Sequence, residues 1–251
     1  MVRLIVGFFV YIALSAYTFA NTLKIAAAAN LSYGIKTLST EFLKTHPDIK
    51  IDTIIASSGK LTAQIMHEAP YDIFLSADMK YPQRLYTTKF ASSKPTLYAQ
   101  GRLILLSTKD RDLDQNLTIL QSKSIKTIAT ANPGTAPYGI AAKEAMQHAA
   151  IYDAIKDKFI YGQSISQTLT YTLNAADIGL VAKSSILNPK LKNLKHGKNW
   201  IDVNPSLYKA IDQGMVLLKN GSSPKSAKLF YDFILSQKGK EILRQSGYTT
   251  P

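Results

Sequence analysis

The chain has 251 residues, with 30 Lys and Arg against 17 Asp and Glu and a formal charge of +13. It contains no cysteine, which excludes disulfides, thiolate metal ligands, a cysteine nucleophile and a lipid-modified cysteine anchor. Such a positive excess suits nucleic acid, acidic lipid or small anions. The densest basic stretch, NPKLKNLKHGK with Lys190, Lys192, Lys195 and Lys198, has no interleaved aromatic residue. The stacking half of a nucleic-acid surface is therefore missing, and no nucleic-acid partner is expected.

Residues 1–20 carry one basic residue, Arg3, then an apolar stretch over 4–14, then Thr18 and Ala20 before Asn21. This is the pattern of a secretory signal peptide cleaved near Ala20. The apolar stretch is shorter than the roughly 20 residues that span a bilayer. A soluble mature chain in the periplasm is expected.

From there strand and helix patterns alternate. LKIAAAA (23–29) predicts a short buried strand, and Leu31, Ile35, Leu38 and Phe42 form one stripe of a following helix. IKIDTIIA (49–56) predicts a second strand, 59–67 a helix, YDIFLSAD (71–78) a third strand and 79–86 another helix. This β-α-β-α-β order implies a parallel sheet. The pattern then recurs, with strands over 101–108, 124–131, 158–162 and 176–182 and helices over 140–149 and 166–174. A further strand, MVLLK (215–219), precedes Ser223-Pro224, which reads as a helix cap followed by proline at the first helical position. Ala227, Phe230, Tyr231 and Ile234 mark the buried face of that helix, and Gly247 marks a C-terminal stop. The expected fold is α/β in two lobes, each a mainly parallel sheet flanked by helices, with a ligand in the cleft between them. One lobe takes 21–100 plus 206–251 and the other 101–205.

The junction ASSGK (56–60) carries the sharpest question about chemistry. A phosphate-binding loop would need glycine where Ile54 stands and Ser or Thr where Leu61 stands, so that motif fails twice. Ser57 to Lys60 spells Ser-x-x-Lys, but the Ser-Asp-Asn and Lys-Thr-Gly elements that accompany it in penicillin-recognising enzymes are missing. The four histidines lack metal-ligand spacing, so no direct metal ligands and no catalytic residues are predicted. Capture of an anion by helix starts is the remaining reading. Ser58 falls at an N-cap between strand and helix, and Asn30, Tyr138 and Ile165 fall at three comparable junctions. In an α/β sheet such junctions converge at the carboxyl ends of the parallel strands. Each helix start carries roughly half a positive charge.

The segments KIAAAANLS, IIASSGKLTAQI, APYDIFLSAD, APYGIAAKEA, ADIGLVAKSS and SGYTTP resemble, in the same order, those of the periplasmic molybdate-binding proteins of ABC importers. The resemblance implies a hinge-closing receptor for molybdate, and for tungstate about as well. It implies an inner-membrane ABC permease as partner, a monomer, no cofactor and no enzymatic activity. Carried over by motif, the oxyanion ligands are Asn30, Ser58, Tyr138 and Ile165, with Ala29 and Ser57 as secondary contacts. Where many relatives place a tyrosine after the "GIV" strand this chain has Ala182, which leaves open whether the Tyr138 phenol compensates. Lys60 is expected to face solvent. A receptor of the same fold for another oxyanion such as sulfate is the first alternative, and a serine acyl-transferase built on Ser57 and Lys60 is the distant one.

Overall fold

Strands and helices alternate along the chain, and the strands sort into two five-stranded sheets. The computed structural model describes residues 22–251, so the expected signal segment 1–20 lies outside the described residues. In chain order the first half contains β1 (Thr22–Ala28), α1 (Gly34–Leu43), β2 (Lys50–Ala56), α2 (Ser58–Met66), β3 (Ile73–Leu75), α3 (Lys80–Thr87) and β4 (Thr96–Gly101). Then come β5 (Leu103–Leu106), β6 (Ile128–Ala131), α4 (Pro137–His148), α5 (Tyr152–Ile155), β7 (Phe159–Gly162), α6 (Ile165–Asn174), β8 (Ile178–Ala182), α7 (Lys183–Ile186) and β9 (Trp200–Asp202). The chain ends with β10 (Ile211–Leu217), α8 (Pro224–Leu235) and α9 (Gln237–Gln245).

The first sheet has the order β2-β1-β3-β10-β4 and the second β7-β6-β8-β5-β9. In the first, β1 pairs in parallel with β2 and β3, whereas β10 runs antiparallel to β3 and β4. In the second, β6 pairs in parallel with β7 and β8, whereas β5 runs antiparallel to β8 and β9. The chain leaves the first sheet after Gly101 and returns to it at Ile211.

Helices cover both faces of each sheet, so the strand interiors are apolar on both sides rather than alternating with polar residues. On one face of the first sheet, Leu23, Ile25, Ile73 and Leu75 pack with Leu31, Ile35, Leu38 and Phe42, the predicted stripe, all buried. Phe42 meets Phe230 of α8 edge to face, with ring centroids 5.1 Å apart. On the other face, Ala26, Phe74 and Val216 pack with Leu61, Ile65 and Leu85. The second sheet divides likewise, with Leu103 and Leu105 on one side and Ile104 and Leu106 on the other. Asp177 ties together the ends of its three central strands, β6, β8 and β5. Its carboxylate accepts the Lys126 and Thr127 amides at 2.8 and 3.0 Å and pairs with Lys109 and Arg111. The Lys109 ammonium beside Asp177 holds its carboxyl well below the usual carboxylate range.

Several elements differ from the sequence reading. The helix expected from Leu31 is preceded by a separate 3-10 turn over Ala29–Leu31, and α1 begins only at Gly34. The strand over 71–78 shrinks to three residues, and just before it the Asp72 carboxylate accepts the Lys24 and Ser223 amides. The stretch read as one strand over 101–108 is two: β4 ends at Gly101 in the first sheet and β5 begins at Leu103 in the second. Helix α4 starts at Pro137, three residues before the predicted start at 140. Ser223 precedes Pro224 of α8 as expected, but its hydroxyl donates to Thr22 O instead of capping the helix. Tyr231 is half-buried where the reading had it on the buried face. Gly247 adopts φ +87° just beyond α9, a conformation that favours glycine.

Candidate functional site

A small cavity lies between the two sheets, where β1 and β2 of the first and β6 and β7 of the second end. Its wall includes all six residues singled out from sequence: Ala29, Asn30, Ser57, Ser58, Tyr138 and Ile165. Alanines and Pro137 complete it, and no charged side chain lines it. Asn30 and Ser58 are each only 1% exposed. Four segments far apart in sequence thus meet around one small, neutral space.

Three helices begin at its wall. The first-turn amides of a helix have no acceptor within their own helix, and the helix axis places positive potential there. In α4 the first position is Pro137, which has no N–H, so Tyr138 supplies the first free amide. In α6 the Ser164 hydroxyl accepts the Gln167 amide, which leaves the amides of Ile165 and Ser166 unclaimed by the cap. In α2 the cap is Ser57, not Ser58 as the sequence reading had it; Ser58 is the first helical residue. Neither serine caps the helix with its side chain. The Ser58 oxygen instead accepts the Ala77 amide at 2.9 Å. A hydroxyl that accepts still carries its own hydrogen, and that hydrogen remains to be donated.

Asn30 also differs from the expected helix start. It sits within the 3-10 turn, and its amide nitrogen donates to Gln213 Oε1 at 2.9 Å and to Tyr248 Oη at 2.8 Å. The Tyr138 phenol accepts from Gln213 Nε2 at 3.3 Å. It lies so close to Gly101 that a Cβ there would collide with the phenol and the Gln213 amide. Ala182 is fully buried at the end of β8 and does not line the cavity. Burial pushes the Tyr98, Tyr138 and Tyr248 phenols up, so all three stay protonated at neutral pH.

The two halves are joined across the cavity by hydrogen bonds from each side. The Gly59 amide donates to Thr135 O at 3.0 Å, Ser166 Oγ to Ala29 O at 2.8 Å and Ser184 Oγ to Asn30 O at 3.0 Å. Gly59 is needed for this approach: a Cβ there would come within 3.0 Å of Thr135 O and 2.7 Å of the Tyr81 hydroxyl. Lys60, the next residue, is exposed and does not line the cavity. Ser57 is buried in the wall, so the two are not arranged as nucleophile and base. Among the described residues there is no cluster of His, Cys, Asp or Glu that could hold a metal ion, and no helix long and apolar enough to cross a membrane.

Gln213, Tyr98, Ser166 and Ser184 were not anticipated from sequence. Tyr248 falls in the SGYTTP segment that carried part of the resemblance, whereas Gln213 sits inside an apolar strand with no local signal.

Two sheet-and-helix halves closing on a small cavity define a two-lobed periplasmic-binding-protein fold. The chain belongs to the family described as bacterial extracellular solute-binding protein, whose sequence profile matches residues 23–249. It is 33% identical over 227 residues to the molybdate-binding protein ModA of Rhodobacter capsulatus, covering 90% of this chain and 87% of that one. It is 32% identical over 232 residues to ModA of Azotobacter vinelandii, covering 91% and 90%. The solved structure of the periplasmic molybdate-binding protein of Azotobacter vinelandii superposes with a TM-score of 0.85 at 29% identity, over 91% of this chain and 99% of that one.

Proposed function

We propose that this protein is a periplasmic receptor that captures molybdate, and tungstate, and delivers it to an inner-membrane ABC permease. It acts as a monomer, without catalysis and without a cofactor. Two lobes, 21–100 with 206–251 and 101–205, close on the anion after a signal peptide, 1–20, has been removed. The anion is held by Asn30, Ser58, Tyr138 and Ile165, with secondary contacts from Ala29 and Ser57.

The observation that carries this reading is a buried cavity with no charged side chain at which three helices begin. A fully deprotonated tetrahedral dianion only accepts hydrogen bonds, so it needs donors and no acceptor. Helix starts supply those donors together with roughly half a unit of positive charge each. Hydrogen bonds to a charged group contribute about 1.5–3 kcal/mol apiece. Several are needed to offset dehydration of a dianion, and closure of two halves around it provides them. The relatives named for molybdate, at 33% and 32% identity, support the choice of ligand within this class.

Isothermal titration with molybdate, tungstate, sulfate and phosphate tests the proposal. It predicts much tighter binding of the first two than of the others. Tighter binding of sulfate would replace it with a same-fold receptor for another oxyanion. Acylation of Ser57 by a penicillin would replace it with an acyl-transferase.

A further inference from the structure

Behind the cavity wall two carboxamides share one buried hydrogen-bond network. Both hydrogens of Asn30 Nδ2 are engaged, one by Gln213 Oε1 and one by Tyr248 Oη. Asn30 Oδ1 is buried and has no partner. On the far side of Gln213, Tyr98 Oη lies 2.9 Å from Gln213 Oε1 and 3.0 Å from Ser76 O. It has one hydrogen for those two acceptors. Gln213 is fully buried.

A carboxamide turned by 180° exchanges its oxygen and nitrogen within nearly the same volume. Turning Asn30 alone would set its Oδ1 against Gln213 Oε1, two acceptors at hydrogen-bond distance with no hydrogen between them. Turning both amides removes that conflict. Gln213 Nε2 then donates to Asn30 Oδ1 and to Tyr98 Oη, and Tyr98 gives its own hydrogen to Ser76 O. Gln213 Oε1 accepts from the Tyr138 phenol, and the Tyr248 phenol, which donates to Asn30 O at 2.9 Å in the first arrangement, turns its one hydrogen to Asn30 Oδ1. The Asn30 carbonyl keeps the Ser184 hydroxyl. The NH₂ group of Asn30 now stands where the orphaned oxygen stood, with two hydrogens to donate. The first arrangement presents an unpartnered acceptor, whereas the second presents donors.

We infer that Gln213 is a positioning residue that sets the orientation of the Asn30 amide, and that an oxyanion in the cavity selects the arrangement in which both amides are turned. A ligand can shift such an equilibrium only by binding one arrangement better than the other. A fully deprotonated anion favours the donors; an anion that keeps a proton finds its acceptor in Asn30 Oδ1. Gln213 thereby bears on discrimination between the two without touching either. The inference rests on the oxyanion-receptor reading above.

Nitrogen-15-labelled protein titrated with molybdate tests it, with side-chain amide NOEs recorded before and at saturation and binding followed by calorimetry on the same sample. At saturation the Gln213 amide hydrogens are expected to show NOEs to the Tyr98 ring, and the Asn30 amide hydrogens to lose theirs to the Tyr248 ring. Molybdate binding that leaves the Gln213 amide hydrogens against the Tyr138 ring would overturn this inference alone. Absence of molybdate binding would overturn the receptor reading and this inference with it. Gln213→Leu supplies a second readout. It is expected to weaken molybdate binding about tenfold while narrowing the preference for molybdate over phosphate; an unchanged preference would count against the role assigned to Gln213.

Discussion

Ser58 Oγ accepts the amide hydrogen of Ala77 at 2.9 Å, a contact that joins the start of α2 to the loop after β3. Because its lone pair is fixed in this way, the hydroxyl hydrogen is free for an acceptor in the cavity. Ser58→Ala removes that donor and leaves the buried Ala77 amide without its acceptor. Molybdate affinity should fall by about 1–3 kcal/mol, about fivefold to 150-fold, in isothermal titration. Unchanged affinity would remove Ser58 from the site.

Gly59→Ala tests the closed arrangement. Its Cβ would press on Thr135 and on the Tyr81 hydroxyl, the first of which belongs to the other half. Overpacking of this kind costs about 1–3 kcal/mol. The share set by Thr135 falls on the closed form alone, so affinity should drop by more than thermal stability without anion does. Equal losses of stability with and without anion would place the strain within one half and contradict this reading.

Ser166→Ala removes the hydroxyl bond to Ala29 O across the cavity. A hydrogen bond of this type contributes about 1 kcal/mol net, a factor of about five. The proposed closure of the two halves on the anion then predicts that factor in anion release, with association unchanged, in stopped-flow measurements. A slower association rate with normal release would show that Ser166 acts before closure.

The cavity should bind molybdate with the same affinity from about pH 6 to pH 9. Tyr138 is its one ionisable lining residue, and burial pushes that phenol up from an ordinary value of about 10. Calorimetry in buffers of different ionisation enthalpy should detect no proton uptake. A clear pH dependence in that window would mean that a charged group contacts the anion.

Asp177 governs acid stability. Its folded pKa lies below its unfolded value near about 3.9, so its contribution is complete above that value and is lost as pH falls through it toward the folded pKa. Asp177→Ala leaves the Lys126 and Thr127 amides without this acceptor and should lower stability by about 1–3 kcal/mol at neutral pH. The variant should lose less further stability than the parent on acidification below about pH 4, as measured by thermal unfolding. A parallel acid slope in the two proteins would refute the assignment.

The half of the fold built from local βα units was legible because each strand and helix announces itself by its own period. Leu31, Ile35, Leu38 and Phe42 fall on one buried face, as their spacing required. The strands β4 and β9 were not, since TLYAQG and WID have no run of apolar residues long enough to stand out, and their pairing partners lie far along the chain. The site divides in the same way. Ser58 and Ile165 occupy junctions that a strand-then-helix pattern locates to within a residue, and Tyr138 one that it locates only to within three. What the side chains do there depends on long-range partners. Ser58 turns to Ala77 nineteen residues away, Asn30 to Gln213 and Tyr248, and the Tyr138 phenol to Gln213, none of which a local pattern can pair. The glycine of ASSGK is a further case. Counting letters against a phosphate loop gave it no meaning, yet its missing side chain lets α2 approach Thr135.

Anomalous scattering at the molybdenum edge from crystals grown with molybdate tests the central claim most directly. The account predicts one strong peak in the cavity, within hydrogen-bond reach of Ser58 Oγ and of the amides of Tyr138 and Ile165, with Lys60 in solvent. A peak outside that cavity, or a Lys60 ammonium bonded to the anion, would contradict it.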